Sequence, residues 1–233
     1  MNNQIKGMLY YYTQDQKYNS KVFWTILVAT TVAMSILAYF LMDVGDAQFY
    51  FAIPFATYTN VCIIAFQTVK KNIPFNLKMG AIRKNIFLSY LYFFVGYSAI
   101  VSIIGNTLQW VIEGSHHLFG ISNYTFVHLA MFLTDTWFTR TVIDTFVMFF
   151  LMGLFFLIGL LFYRLGLLGG GIILGAFLVI SLYGLFEGWL IDAFATILSD
   201  PSMFTFAMVF LTGIGLYVIS YPFIQKITVL KKV

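Results

Sequence analysis

Val22-Phe-Trp-Thr-Ile-Leu-Val-Ala-Thr-Thr-Val-Ala-Met-Ser-Ile-Leu-Ala-Tyr-Phe-Leu-Met42 runs for 21 residues without a charged side chain. About 20 apolar residues let a helix cross the hydrocarbon core of a bilayer. The stretch therefore reads as a transmembrane segment. It ends at Asp43-Val44-Gly45-Asp46 with no small-x-small cleavage pattern before it. A permanent anchor fits better than a cleaved signal. Five further runs meet the same length requirement: 49–69, 86–112, 141–163, 169–190 and 203–224.

The composition agrees. Of 233 residues, 61% are apolar and 9% are charged, with mean hydropathy +0.88. A soluble domain has about 25% charged residues, so too few polar side chains are present to cover a water-exposed surface. This excludes soluble enzymes and, despite a pI near 9.0, nucleic-acid partners. A transmembrane barrel would show alternating polarity in segments of about ten residues. The unbroken apolar runs instead predict an all-α polytopic membrane protein, with one domain over 1–233 and six spans. The single cysteine, Cys62, allows no intrachain disulfide and no cysteine-based metal site.

The charges set an orientation. With the N-terminus inside, twelve of the thirteen basic residues fall in inner segments, and only Arg140 falls outside. Of the nine acidic residues, only Asp15 is inside. Cytoplasmic enrichment of Lys and Arg predicts both termini cytoplasmic, in a cell membrane. Ile5, Met8, Leu9 and Tyr12 repeat at helical spacing. An amphipathic helix over 1–12, within an N-terminal segment 1–21, should lie in the inner interface before the first span.

The segment 70–85, between the second and third runs, is both basic and apolar. It holds Lys70, Lys71, Lys78, Arg83 and Lys84 together with Phe75, Leu77, Met79 and Ile82. Basic residues alone would keep a loop inside; the apolar ones point to a partner. Pro74 can open a short helix and Gly80 can end it. The expected object is a helix across the cytoplasmic mouth that offers Phe75 and Met79 to a partner's groove.

The run Leu77-Lys-Met-Gly-Ala-Ile-Arg-Lys-Asn-Ile-Phe87 resembles the first cytoplasmic loop of type-2 ATP-binding-cassette exporter permeases of Gram-positive bacteria. There a Met/Leu-Gly-x-x-Arg-Lys-x-x-Phe stretch leads into the third span. The resemblance implies that Phe75, Leu77, Met79, Gly80, Arg83 and Lys84 dock on a separate ATPase, present in two copies. It further implies a second permease, identical or paralogous, and a substrate such as an amphipathic antimicrobial peptide, a peptide toxin or a lipid-like molecule, in export or immunity. The chain has no Gly-x-x-x-x-Gly-Lys-Ser/Thr loop. Under this resemblance ATP and magnesium belong to the partner, and this chain binds no cofactor and is not itself an enzyme.

Ser98, Ser102, Asn106, Gln109 and Glu113 share one helical face of the third span, and Asn60 and Gln67 follow Thr57 in the second. Such faces should avoid lipid. They either line a translocation path between protomers or hydrogen-bond helices together. Gly171/Gly175 and Gly184/Gly188 are small-xxx-small pairs suited to close packing. The triple glycine 169–171 is a candidate hinge. Glu187 is a candidate functional acid or an outer-interface residue. The long outer segment 113–140 carries His116, His117 and His128. No cysteine or close carboxylate completes a zinc shell there. Residues 126–137 are apolar enough to lie on the membrane.

Two other classes stand beside the exporter reading. An ion-coupled transporter usually has inverted repeats, whereas the halves of this chain differ and span centres lack charge. An intramembrane enzyme needs a motif such as His-Glu-x-x-His or Gly-x-Ser-x-Gly, and neither is present.

Overall fold

The computed structural model describes residues 2–42, 47–192, 195 and 202–227. The chain is mostly helical (85%). The elements run α1 (Asn3–Phe40), β1 (Phe49–Phe51), α2 (Ile53–Lys78), α3 (Arg83–Phe119), β2 (Tyr124–Phe126), a 3₁₀ turn (Leu129–Phe132), α4 (Trp137–Phe186), α5 (Met203–Ile219) and α6 (Tyr221–Gln225). Lys231 and Lys232, and most of the acidic turn 192–201, lie outside the described residues.

Among the described residues four helical stretches are long and apolar enough to cross a membrane: Asn3–Phe40, Arg83–Phe119, Trp137–Phe186 and Met203–Gln225. The six apolar runs map onto them unevenly. Runs 141–163 and 169–190 both fall largely on α4, which has 50 residues and would be about 75 Å long if straight. It is not straight. Gly166 has φ 72° and ψ −178°, so two helical segments meet there. Run 49–69 falls on β1 and α2, whose apolar stretch is diluted by Thr57, Asn60 and Gln67.

Three expectations need correction. The N-terminal amphipathic stretch does not form a separate interfacial helix. No glycine or proline interrupts residues 8–42, and α1 continues unbroken. Ile5, Met8, Tyr12 and Gln16 are buried at spacings of three and four. The predicted apolar face is real, but it packs on protein rather than on lipid. Second, Pro74 does not open a new helix. It sits inside α2, which continues to Lys78. The turn then closes tightly: Gly80 has φ 76°, Gly80 N–H reaches Leu77 O at 3.1 Å, and Ala81 N–H reaches Asn76 O at 2.9 Å. This pair of bonds is a Schellman cap. Segment 70–85 is thus the tip of a helical hairpin, not a crossing helix. Third, the all-α reading lacked a ribbon. β1 and β2 pair in parallel, with Phe49 opposite Tyr124 and Phe51 opposite Phe126.

The core lies where α1, α2, α3, α4 and α5 converge. Tyr12 stacks on Tyr90 at 4.5 Å, and Phe156 stacks on Tyr217 at 5.7 Å. α4 approaches α5 closely at two glycines. A Cβ on Gly153 would stand 2.9 Å from Gly213 O, and one on Gly213 would stand 2.7 Å from Phe150 Cα.

Candidate functional site

Asp144 lies two turns into α4 and is 3% exposed. An ionised carboxylate at such burial needs close donors. It has three, each from a different element. Tyr58 Oη of α2 donates to Oδ1 at 2.5 Å. Asn106 Nδ2 of α3 donates to Oδ2 at 2.8 Å. His128 Nε2, just before the 3₁₀ turn, lies 3.2 Å from the same oxygen. The His128 tautomer follows from its other nitrogen. Nδ1 accepts the Ala130 N–H at 2.9 Å, so the proton of the neutral ring sits on Nε2 and is donated to Asp144. The cluster ties α2, α3, α4 and the 113–140 segment to one buried carboxyl group.

The α3 stripe feeds this network. Ser98, Ser102, Asn106 and Gln109 are all buried. Ser98 Oγ turns back to Val95 O. Ser102 Oγ donates to Thr141 O of α4 at 2.7 Å, and Asn106 also reaches Ser102 O at 3.0 Å. Gln109 Nε2 donates to Glu113 Oε1 at 2.9 Å. Glu113 takes Arg140 Nη1 on both oxygens, at 2.9 and 3.0 Å. The other edge of Arg140 grips Asp135 at 2.5 and 2.7 Å. That bond to Arg140 holds the Asp135 carboxyl below its usual range. Within one chain the stripe therefore joins helices. Of its residues, Glu113 also reaches a cavity of ≈ 560 Å³ shared with His116, Tyr124, Asp135 and Arg140. Burial pushes the Tyr124 phenol up to about 12.

The segment expected to lie on the membrane is divided: Val127, Met131, Phe132 and Trp137 are exposed. Phe126, His128 and Ala130 are buried. The histidines diverge: His116 lies 2.9 Å from Ser35 Oγ, His117 is exposed, and His128 serves Asp144. Among the described residues no three His, Cys, Asp or Glu side chains gather as metal ligands. On α2, Asn60 accepts from Tyr97 Oη at 3.3 Å, while Gln67 is exposed.

The candidate docking residues gather at the α2–α3 turn. Met79, Ile82, Arg83 and Lys84 are exposed, Leu77 is half-buried, and Phe75 stacks on Tyr11 at 4.7 Å. A cavity of ≈ 500 Å³ opens there, lined by Leu77, Gly80, Ala81, Ile82, Arg83 and Ile227. Arg83 Nη2 donates to Ile227 O at 3.0 Å. The N-terminal helix braces the turn. Gln4 bonds Asn85, Asp15 pairs with Lys71, and Asn76 Nδ2 donates to Tyr12 Oη at 2.6 Å.

The small-residue pairs behave differently from expectation. A Cβ on Gly171 or Gly175 would meet nothing within 4 Å among the described residues. Gly184 backs onto Trp189, a local contact. Gly188, at φ 83°, turns the chain out of α4. Glu187 is exposed at that end. Sequence reading missed Asp144. The acid sits near one end of its run rather than at the centre, where intramembrane charges were sought. A detectable signal was the α3 stripe itself, which needed a polar partner on a neighbouring helix. Comparison with protein-family models, with curated proteins and with solved structures finds no match.

Proposed function

We propose that the chain is the membrane-embedded permease subunit of an ATP-driven exporter. It crosses a cell membrane six times, with both termini cytoplasmic. It pairs with a second permease, identical or paralogous, and is driven by two separate ATPase subunits that carry ATP and magnesium. The observation that carries the reading is the α2–α3 turn. Met79 (73% exposed) and Ile82 (61% exposed) stand beside Lys78, Arg83 and Lys84, over the ≈ 500 Å³ cavity. Basic residues mark the cytoplasmic side, so these apolar groups face water or a protein, not lipid. A braced, apolar, cationic knob suits docking on a motor subunit. The substrate class, an amphipathic peptide or lipid-like molecule, rests on the loop resemblance.

Co-purification with a stand-alone ABC-type ATPase from the same cell tests the reading. Phe75→Ala, Met79→Ala and Lys84→Ala together should weaken association at least roughly tenfold, as about 1.4 kcal/mol of lost binding would. Unchanged association and unchanged coupled ATPase activity refute it.

One observation favours a second reading, an ion-coupled transporter. Asp144 is a buried acid held by a histidine and a tyrosine, which is the material of a proton relay. Gradient-driven uptake in ATP-free proteoliposomes, abolished by Asp144→Asn, would select that reading.

A further inference from the structure

A groove of ≈ 930 Å³ runs between α1 and α3. Its lining changes along its length. Toward the α2–α3 turn stand Leu9, Thr13 and Tyr92; part-way along α1 supplies Gln16, Lys17, Ser20 and Lys21; beyond them stand Trp24, Ile100 and Ile104. Both lysines are exposed and take part in none of the ion pairs among the described residues. The polar floor is fixed: Ser20 Oγ lies 3.3 Å from Tyr97 Oη, which donates onward to Asn60. From Tyr92 to Ile104 the wall on α3 spans 12 residues, about 18 Å. Half of a ~30 Å hydrocarbon core is about 15 Å. The groove is therefore about as long as one leaflet is deep, with the two lysines part-way along it and apolar wall beyond them.

We propose that this groove is a binding site for an anionic phospholipid of the cytoplasmic leaflet. The headgroup phosphate lies between Lys17 and Lys21 within reach of Ser20, and an acyl chain lies along Ile100 and Ile104 against Trp24. Two free ammonium groups above an apolar slot complement a negative head on an apolar tail, and discriminate against a zwitterionic head. The Gly96 side of the slot is open: a Cβ there meets nothing within 4 Å. The assignment requires the chain to sit in a membrane with its basic end inward, and it stands whichever transport reading holds.

Quenching of Trp24 by brominated lipids tests it. The full chain keeps Trp24 as its only tryptophan, with Phe at positions 110, 137 and 189. It is reconstituted in low-salt vesicles of phosphatidylcholine doped with brominated phosphatidylglycerol or brominated phosphatidylcholine. Brominated phosphatidylglycerol should quench Trp24 at roughly thirtyfold lower mole fraction, as two lysines near an anionic surface would give. Lys17→Gln with Lys21→Gln should remove the preference and leave quenching by phosphatidylcholine unchanged. Gly96→Phe should fill the slot and reduce quenching by both. The lysines are exposed, so their replacement leaves the fold intact. Equal quenching by the two lipids in the parent chain overturns the proposal, as does a preference that survives the double substitution. Absence of quenching by either lipid, as when another polypeptide fills the groove, overturns it too.

Discussion

Replacing Asp144 probes the buried cluster most directly. Asp144→Ala leaves the Tyr58 hydroxyl, the Asn106 amide and the His128 ring without their shared acceptor. Each bond to a charged group is worth about 1.5–3 kcal/mol, but partial relaxation and water entry offset some of this. Each buried donor left unpaired costs about 1–3 kcal/mol, so three of them with partial relaxation should cost about 3–5 kcal/mol. For a chain of this length 1 kcal/mol moves Tm by about 2–4 °C, so the expected fall is roughly 6–20 °C. Asp144→Asn behaves differently. With its oxygen in the Oδ2 position it keeps the bonds from Asn106 and His128, and its amide can donate to Tyr58 Oη. Only the charge and one reversed bond change, so a loss of about 1 kcal/mol, roughly 2–4 °C, is expected. Cys62 is the only cysteine, so a thiol-reactive dye reports unfolding of the detergent-solubilised protein. Equal melting of the parent and Asp144→Ala would refute the network. An Asn variant as unstable as the Ala variant would show that charge, not hydrogen bonding, holds the cluster.

Gly213→Ala places a Cβ 2.7 Å from Phe150 Cα; backbone cannot step aside, and overpacking should cost about 1–3 kcal/mol in a melting assay. Gly175→Ala meets open space and should leave the melting temperature of the isolated chain level or slightly higher; equal falls in both variants would contradict the packing. Asp135 titrates below its usual value because Arg140 holds it. Its ion pair is therefore fully present above about pH 4, the unfolded value, and is lost only as pH falls through the lower folded value. Emission from a chain retaining only Trp137 should stay flat from neutral pH to about 4 and change below it; Asp135→Asn should remove that acid limb. Gly80→Ala, which forces a side chain to φ 76°, should cost about 1–2 kcal/mol and loosen the α2–α3 turn, seen as faster proteolysis after Lys78.

What was legible in the sequence was periodic and local. Ile5, Met8 and Tyr12 announce a buried face, and Ser98, Ser102, Asn106 and Gln109 announce another; both are buried in the structure. A periodic stripe names a face but not what covers it, so protein was taken for lipid at the N-terminus. Pro74 shows the limit of a local rule. Proline disfavours a helix interior, but Ile73 and Asn76 on either side of it are buried, and tertiary packing carries α2 through. The tight glycine contact joins Gly153 to Gly213, sixty residues apart in sequence, and no short motif encodes it. The conspicuous pair Gly171/Gly175 faces open space among the described residues. Asp144 went unread near the end of its run and His128 was read as a loop histidine; only the fold brings them within 3.2 Å.

Helix α1 has a mechanical consequence. At one end Gln4 is bonded to Asn85 and Gly80 at the α2–α3 turn. At the other, Ser35 meets His116, and Ala38 O accepts from Asn123 Nδ2 at 3.1 Å. About 47 Å of helix separates Gln4 from Ser35 at 1.5 Å per residue, with no glycine or proline after Gly7 to bend it. The helix is a connecting rod. A push on the α2–α3 turn is delivered along α1 to the β-ribbon corner at the opposite end of the molecule, and a glycine pair inserted near Thr25 would disconnect the two ends while leaving each in place.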